Sequence, residues 1–76
     1  MKELIMVIAR ALVDYPNEVT IEEIDSGATV ILELRVSQTD LGKIIGRKGR
    51  TVGAIRLILN AVATKREKRV VLEIIE

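Results

Sequence analysis

Arg47 and Lys48 stand between two glycines, in the stretch Ile44-Ile45-Gly46-Arg47-Lys48-Gly49-Arg50. Cations displayed on a turn whose flanking residues lack side chains suit the gripping of an anionic oxygen, because backbone N–H groups can come close enough to assist. The same residue types offer nothing for proton transfer or nucleophilic attack. The chain has no histidine and no cysteine, which removes the commonest general base, the commonest zinc ligand, any thiolate site and any disulfide. No catalytic residue, metal or cofactor is expected, and the chain is not expected to be an enzyme. A nucleotide-hydrolysing phosphate loop is excluded as well. Its lysine follows the last glycine directly and precedes Ser or Thr, whereas here Arg47 follows Gly46 and Lys48 precedes Gly49. The acidic residues Glu18, Glu22, Glu23, Asp25 and Glu33 lack the spacing of a calcium loop and read as a solvated sheet edge.

The glycine-flanked cations must be held by two helical segments. Leu41, Ile44 and Ile45 fall at i, i+3 and i+4 before them, and Val52, Ile55, Leu59 and Val62 continue at helical spacing after them. Gly46 is expected to stop the first helix in a left-handed conformation, and Gly49 to admit close approach of a ligand. Ser37 or Thr39 is expected to cap that helix, with Asp40 favourable in its first turn. Gly42 in its interior implies a neighbouring backbone close by. The second helix is expected from Arg50 to Thr64.

Upstream, residues 3–14 read as an amphipathic helix with Leu4, Ile5, Ile8, Ala11, Leu12 and Tyr15 on one stripe, stopped by Pro16. Tyr15, the one aromatic residue, is expected to anchor the core. Glu18 to Asp25 reads as a strand with a bulge near Glu22-Glu23, where the alternation slips. Asp25-Ser26-Gly27 is turn chemistry, and Ala28 to Val36 returns antiparallel with Val30, Leu32, Leu34 and Val36 facing inward. After the polar connector Lys65-Arg66-Glu67-Lys68, a last strand runs from Arg69 to Ile75 with Val70, Leu72 and Ile74 on one face.

Seventy-six residues, 49% of them apolar, suffice for one domain with its own core. The net charge of +1 hides an uneven distribution: residues 1–34 carry −5, residues 35–69 carry +8 and residues 70–76 carry −2. Local field rather than net charge decides where a polyanion lands, so the basic half is the expected contact. No run approaches the roughly 20 apolar residues that span a bilayer, and the start of the chain lacks a signal peptide's uninterrupted apolar stretch. A cytoplasmic protein without membrane contact is expected.

Ile-Ile-Gly-Arg-Lys-Gly-Arg at residues 44–50 resembles the signature of KH domains, RNA-binding modules whose GXXG loop clamps a short nucleotide run. The order helix, strand, strand, helix, helix, strand is similar to the type II KH arrangement, which implies an α+β fold, α-β-β-α-α-β, with three helices on one face of a three-stranded mixed sheet. The likeness covers nearly the whole chain. Among KH proteins, a free-standing domain of this length resembles the KhpA family of small bacterial RNA-binding proteins. That resemblance implies single-stranded RNA as ligand, a role as RNA chaperone or post-transcriptional regulator, and pairing with itself or with a KhpB (Jag-like) KH-domain protein. Carried onto this chain, the RNA contacts are expected from Lys43, Ile44, Ile45, Gly46, Arg47, Lys48, Gly49 and Arg50. The groove would lie between the two helices that flank the loop and the second strand, with Ile44, Ile45 and Leu32 or Leu34 meeting the bases. A KH-fold module that binds protein rather than RNA is the competing reading.

The helix after the loop has more apolar surface than one core can use. At about 100° per residue, Val52, Ile55, Leu59, Val62 and Ala63 form a core stripe, and Gly53, Arg56, Asn60 and Thr64 a polar sector. Ala54, Leu57, Ile58 and Ala61 occupy the remaining arc. An exposed apolar strip marks an interaction site, so these four are expected to form a dimer interface unless the N-terminal helix covers them.

Overall fold

The alternating and helical patterns resolve, in a computed structural model that describes residues 1–76, into three helices and three strands. Helix α1 spans Lys2–Leu12, strands β1 and β2 span Thr20–Asp25 and Thr29–Arg35, helices α2 and α3 span Leu41–Ile45 and Arg50–Lys65, and β3 spans Arg69–Ile75. The sheet order is β1-β2-β3, with β1 antiparallel and β3 parallel to β2. The α+β order and mixed sheet anticipated above are those found.

The core follows from the strand phase. Val30, Leu32 and Leu34 of β2 and Val70 and Leu72 of β3 are buried beneath Ile5 and Ala9 of α1, Ile44 of α2, and Val52, Ile55, Leu59 and Ala63 of α3. All three helices lie on this face. The opposite face is bare, and register sets two rows across it: Ile24–Ile31–Val71, and beside them Glu22–Glu33–Glu73.

Several expectations need correction. No bulge interrupts β1; pairing runs unbroken from Thr20↔Arg35 to Asp25↔Val30. The slip in alternation arises because Glu23 and Asp25 share the inward phase of Ile21 yet are exposed, while Ile24 lies on the bare face. Tyr15 is 53% exposed and anchors nothing in the core. The α1 stripe centres on Ile5 and Ala9, leaving Leu4 and Leu12 exposed. Gly42 has open space where a Cβ would sit, so no close backbone explains it. Ser37 and Thr39 do not cap α2; their hydroxyls hydrogen-bond each other at 3.0 Å.

Asp40 is the one fully buried charged side chain. Its Oδ1 accepts the Asp14 N–H at 3.1 Å and its Oδ2 accepts the Tyr15 N–H at 3.0 Å. Those two N–H groups would otherwise continue α1; their diversion to a carboxylate ends the helix at Leu12, ahead of the proline. The Lys43 Nζ lies 3.6 Å from Asp40 Oδ1 and 3.0 Å from Asp14 Oδ2. Burial alone would push the Asp40 carboxyl up, but the two backbone donors and the Lys43 ammonium outweigh it and hold it below the usual aspartate value. This clamp joins the exit of α1 to the start of α2.

Candidate nucleic-acid interface

The loop between α2 and α3 is built by backbone conformations that side chains resist. Gly46 closes α2 through its N–H to the Gly42 carbonyl at 2.8 Å, with φ 76° and ψ 171°. That is a glycine-only region, more extended than the left-handed helical stop expected. A Cβ on Gly46 would overlap the Thr51 hydroxyl oxygen and come within 2.8 Å of the Thr51 nitrogen. Arg47–Gly49 then form a single 3-10 turn in which Lys48 itself has φ 57° and Gly49 has φ 72°. The Gly49 N–H bonds back to the Gly46 carbonyl at 3.1 Å. Lysine at positive φ is uncommon, and such strain concentrates where a ligand is held.

Arg47, Lys48 and Arg50 are exposed on this turn, and none has a carboxylate within ion-pairing distance. Three other cations of the basic half have partners, whereas Arg35, Lys65, Arg66 and Arg69 form no ion pair. Lys68 pairs with Asp25 at 3.1 Å, and Arg56 Nη2 donates to the Leu72 carbonyl at 3.1 Å. Lys43 is bound by Asp14 and Asp40; the hydrogen bond and charge of Asp14, then the charge of Asp40, raise its pKa. The loop thus gathers three cations without ion pairs within four residues.

The apolar side of the expected groove is different from the one inferred. Ile44, Leu32 and Leu34 are fully buried and have no surface to present to a base. Ile45 is exposed beside the loop. Nor can β2 line a groove, because it is the central strand and paired on both sides. The strand beside α3 with a free edge is β3. Between them lies a cleft of about 270 Å³ walled by Arg56, Asn60, Val71 and Leu72, which reaches from the polar sector of α3 to the outer edge of β3, where the Leu72 carbonyl accepts from Arg56. The wheel separated Arg56 and Asn60 as polar but assigned them no role. Their place became visible only once β3 was known to pair on one side.

Ala54, Leu57, Ile58 and Ala61 are exposed, Leu57 by 72% and Ile58 by 45%. Helix α1 borders this strip without covering it: Ile8 and Leu12 form the far wall of a groove of about 450 Å³ whose near wall is Ala54 and Ile58. No helix is long and apolar enough to cross a membrane.

Comparison with known proteins agrees with this architecture. The sequence profile of the KhpA/KhpB KH domain matches residues 2–74. An RNA-binding protein KhpA from Borreliella burgdorferi is 53% identical over 74 residues, 97% of this chain and 90% of its own. One from Chlamydia pneumoniae is 50% identical over 76 residues, the whole of this chain and 97% of its own. One from Clostridium acetobutylicum is 49% identical over 75 residues, 99% of this chain and all of its own. No solved structure gives a significant match. Matched by the family profile over residues 2–74 and by relatives near 50% identity along its length, the chain belongs to the KhpA/KhpB family of KH domains.

Proposed function

We propose that this chain binds single-stranded RNA through the Gly46–Gly49 loop, without enzymatic activity. The observation that carries the reading is the set of three exposed, unpaired cations, Arg47, Lys48 and Arg50, on a turn bounded by two glycines at positive φ. Phosphates are taken by these cations and by the loop backbone, while bases lie along the cleft between α3 and the free edge of β3. Lys43, held by two carboxylates, contributes charge but no direct contact, and Ile44 supports the loop from the core. With no aromatic platform in the cleft, sequence preference is modest. Relatives carry the name RNA-binding protein KhpA, which supports RNA as the ligand; the role proposed for the chain is that of a cytoplasmic RNA chaperone or post-transcriptional regulator. The exposed strip Ala54, Leu57, Ile58 and Ala61 pairs the domain with a second copy or with a KhpB-like KH protein.

Anisotropy of a labelled short single-stranded RNA tests the ligand. Three phosphate contacts give a slope of log K against log salt of about −2, at about −0.7 per contact for single strands. Arg47→Asp/Lys48→Asp is expected to flatten that slope and nearly abolish binding, with the melting temperature unchanged because both side chains are exposed. Unchanged affinity in the folded double variant would overturn the site. A KH module that binds protein instead would show no RNA binding in the wild type.

A further inference from the structure

The groove between α1 and α3 ends at the loop. Its walls are Ile8 and Leu12 on one side and Ala54 and Ile58 on the other, and its end is formed by Arg50 and Thr51. Arg50, Ala54 and Ile58 follow one another at i, i+4 and i+8 and so share a face of α3. Thr51 is the residue against which Gly46 packs, its hydroxyl and Cβ filling the space where a Cβ on that glycine would stand. Whatever occupies this groove therefore touches both a phosphate-binding cation and the residue that buttresses the first loop glycine.

The occupant is a second copy of this chain. The groove walls, Ile8, Leu12, Ala54 and Ile58, are apolar, and Arg50 is the one charged residue in the lining, so the walls ask for an apolar complement that leaves the guanidinium at the end of the groove. The same strip on another copy supplies that complement, with Ala54 and Ala61 flanking the larger Leu57 and Ile58 so that two helices can approach closely.

We propose that pairing and RNA binding are thermodynamically linked through Arg50, each strengthening the other; this rests on the RNA-loop and pairing readings above. In the lone domain the Arg50 side chain is exposed and has no ion-pair partner, and holding a phosphate costs it rotamer freedom. A second copy seated in the groove covers its methylene stem and confines the guanidinium to the rim beside the loop, so part of that ordering is already done. The converse holds through the charge. Pairing brings apolar surface against an unpaired guanidinium, which is unfavourable, and a bound phosphate supplies the missing counter-charge. Both contributions have the same sign and add to one coupling free energy, so with RNA on each protomer the dimer constant shifts by the product of the two per-site changes in RNA affinity.

The dimer dissociation constant, measured by sedimentation with and without saturating tetrauridylate, reads this coupling directly. Four nucleotides are too few to fill two loops, so bridging does not contribute. The constant is expected to fall by about fivefold or more with the RNA bound, near the lower end of typical couplings. Arg50→Met keeps an apolar stem in the groove and removes the guanidinium. It is expected to dimerise, to bind tetrauridylate more weakly through Arg47, Lys48 and backbone, and to show no shift at saturation. An unmoved constant in the wild type, or an equal shift in Arg50→Met, overturns the linkage while leaving both underlying readings in place. Absence of any wild-type dimer removes the pairing reading and the linkage with it; absence of tetrauridylate binding removes the loop reading in the same way.

Discussion

An added Cβ separates the two loop glycines. At Gly49 it would meet open space, so only the positive φ opposes a side chain. At Gly46 it would collide with Thr51, including backbone, in a region of φ and ψ that other residues avoid. Gly49→Asp is therefore expected to cost about 1 kcal/mol of stability, since aspartate tolerates left-handed backbone, and to weaken RNA binding by placing a negative charge at the turn. Gly46→Asp is expected to cost about 3 kcal/mol or more. Urea titration of the two variants measures the difference, and equal midpoints would contradict the packing of Thr51 on Gly46. The glycine-flanked cations were legible in the sequence because type and spacing alone announce them. Their freedom from ion pairs was not, since it depends on which acids the fold brings within reach: Asp14 and Asp40 to Lys43, Asp25 to Lys68.

Among the elements, the sheet carries a cost on its bare face. Glu33 stands opposite Glu22 on one side and Glu73 on the other, with no cation in ion-pairing range of any of them. Like charges directly opposite on neighbouring strands are destabilising. Glu33→Gln is expected to raise stability by about 0.5–1 kcal/mol, visible as a higher midpoint in thermal or urea unfolding; a lower midpoint would show that the row is compensated by groups beyond the sheet. The row also repels a polyanion, in keeping with the RNA site proposed on the helical side. Strand phases in β2 and β3 were readable because period-two alternation is unambiguous when one face is buried. In β1 it misled, because an edge strand can place Glu23 and Asp25 in the inward phase without burying them. Element order gave the fold by resemblance, but which strand lies in the middle follows from pairing, and that moved the inferred cleft from β2 to β3.

For the molecule as a whole, apolar surface left over after the core is filled lies on α3 and the neighbouring edge of α1, with further residues at Val7 and at Ile24 and Val71 on the bare sheet face. The wheel separated Leu57 and Ile58 from the core stripe because the core positions Val52, Ile55, Leu59 and Ala63 already occupy one side. The contribution of Ile8 and Leu12 was hidden, as the α1 stripe was centred too far toward them. Ile58→Lys is expected to leave the fold intact, since the side chain is already half in solvent, and, on the proposed pairing, to be monomeric in light scattering at a concentration where the wild type is dimeric. A variant that unfolds would place Ile58 in the core instead.

The Asp40 clamp joins segments 25 and 26 residues apart in sequence, around the whole β1–β2 hairpin. Asp14 and Tyr15 lie outside every helix and strand, and their side chains are exposed, so their amides would ordinarily trade hydrogen for deuterium with solvent almost freely. With the carboxylate holding both, release requires α1 to part from α2, and their exchange is expected to be as slow as that of the core strands. Because the fold holds the Asp40 pKa below its ordinary 3.8, this protection is complete above that value and is lost as pH falls through the lower one. Fast exchange at either amide at neutral pH would mean that α1 and α2 open independently, and α2, which runs into the loop, would then lack this tie to the N-terminal helix.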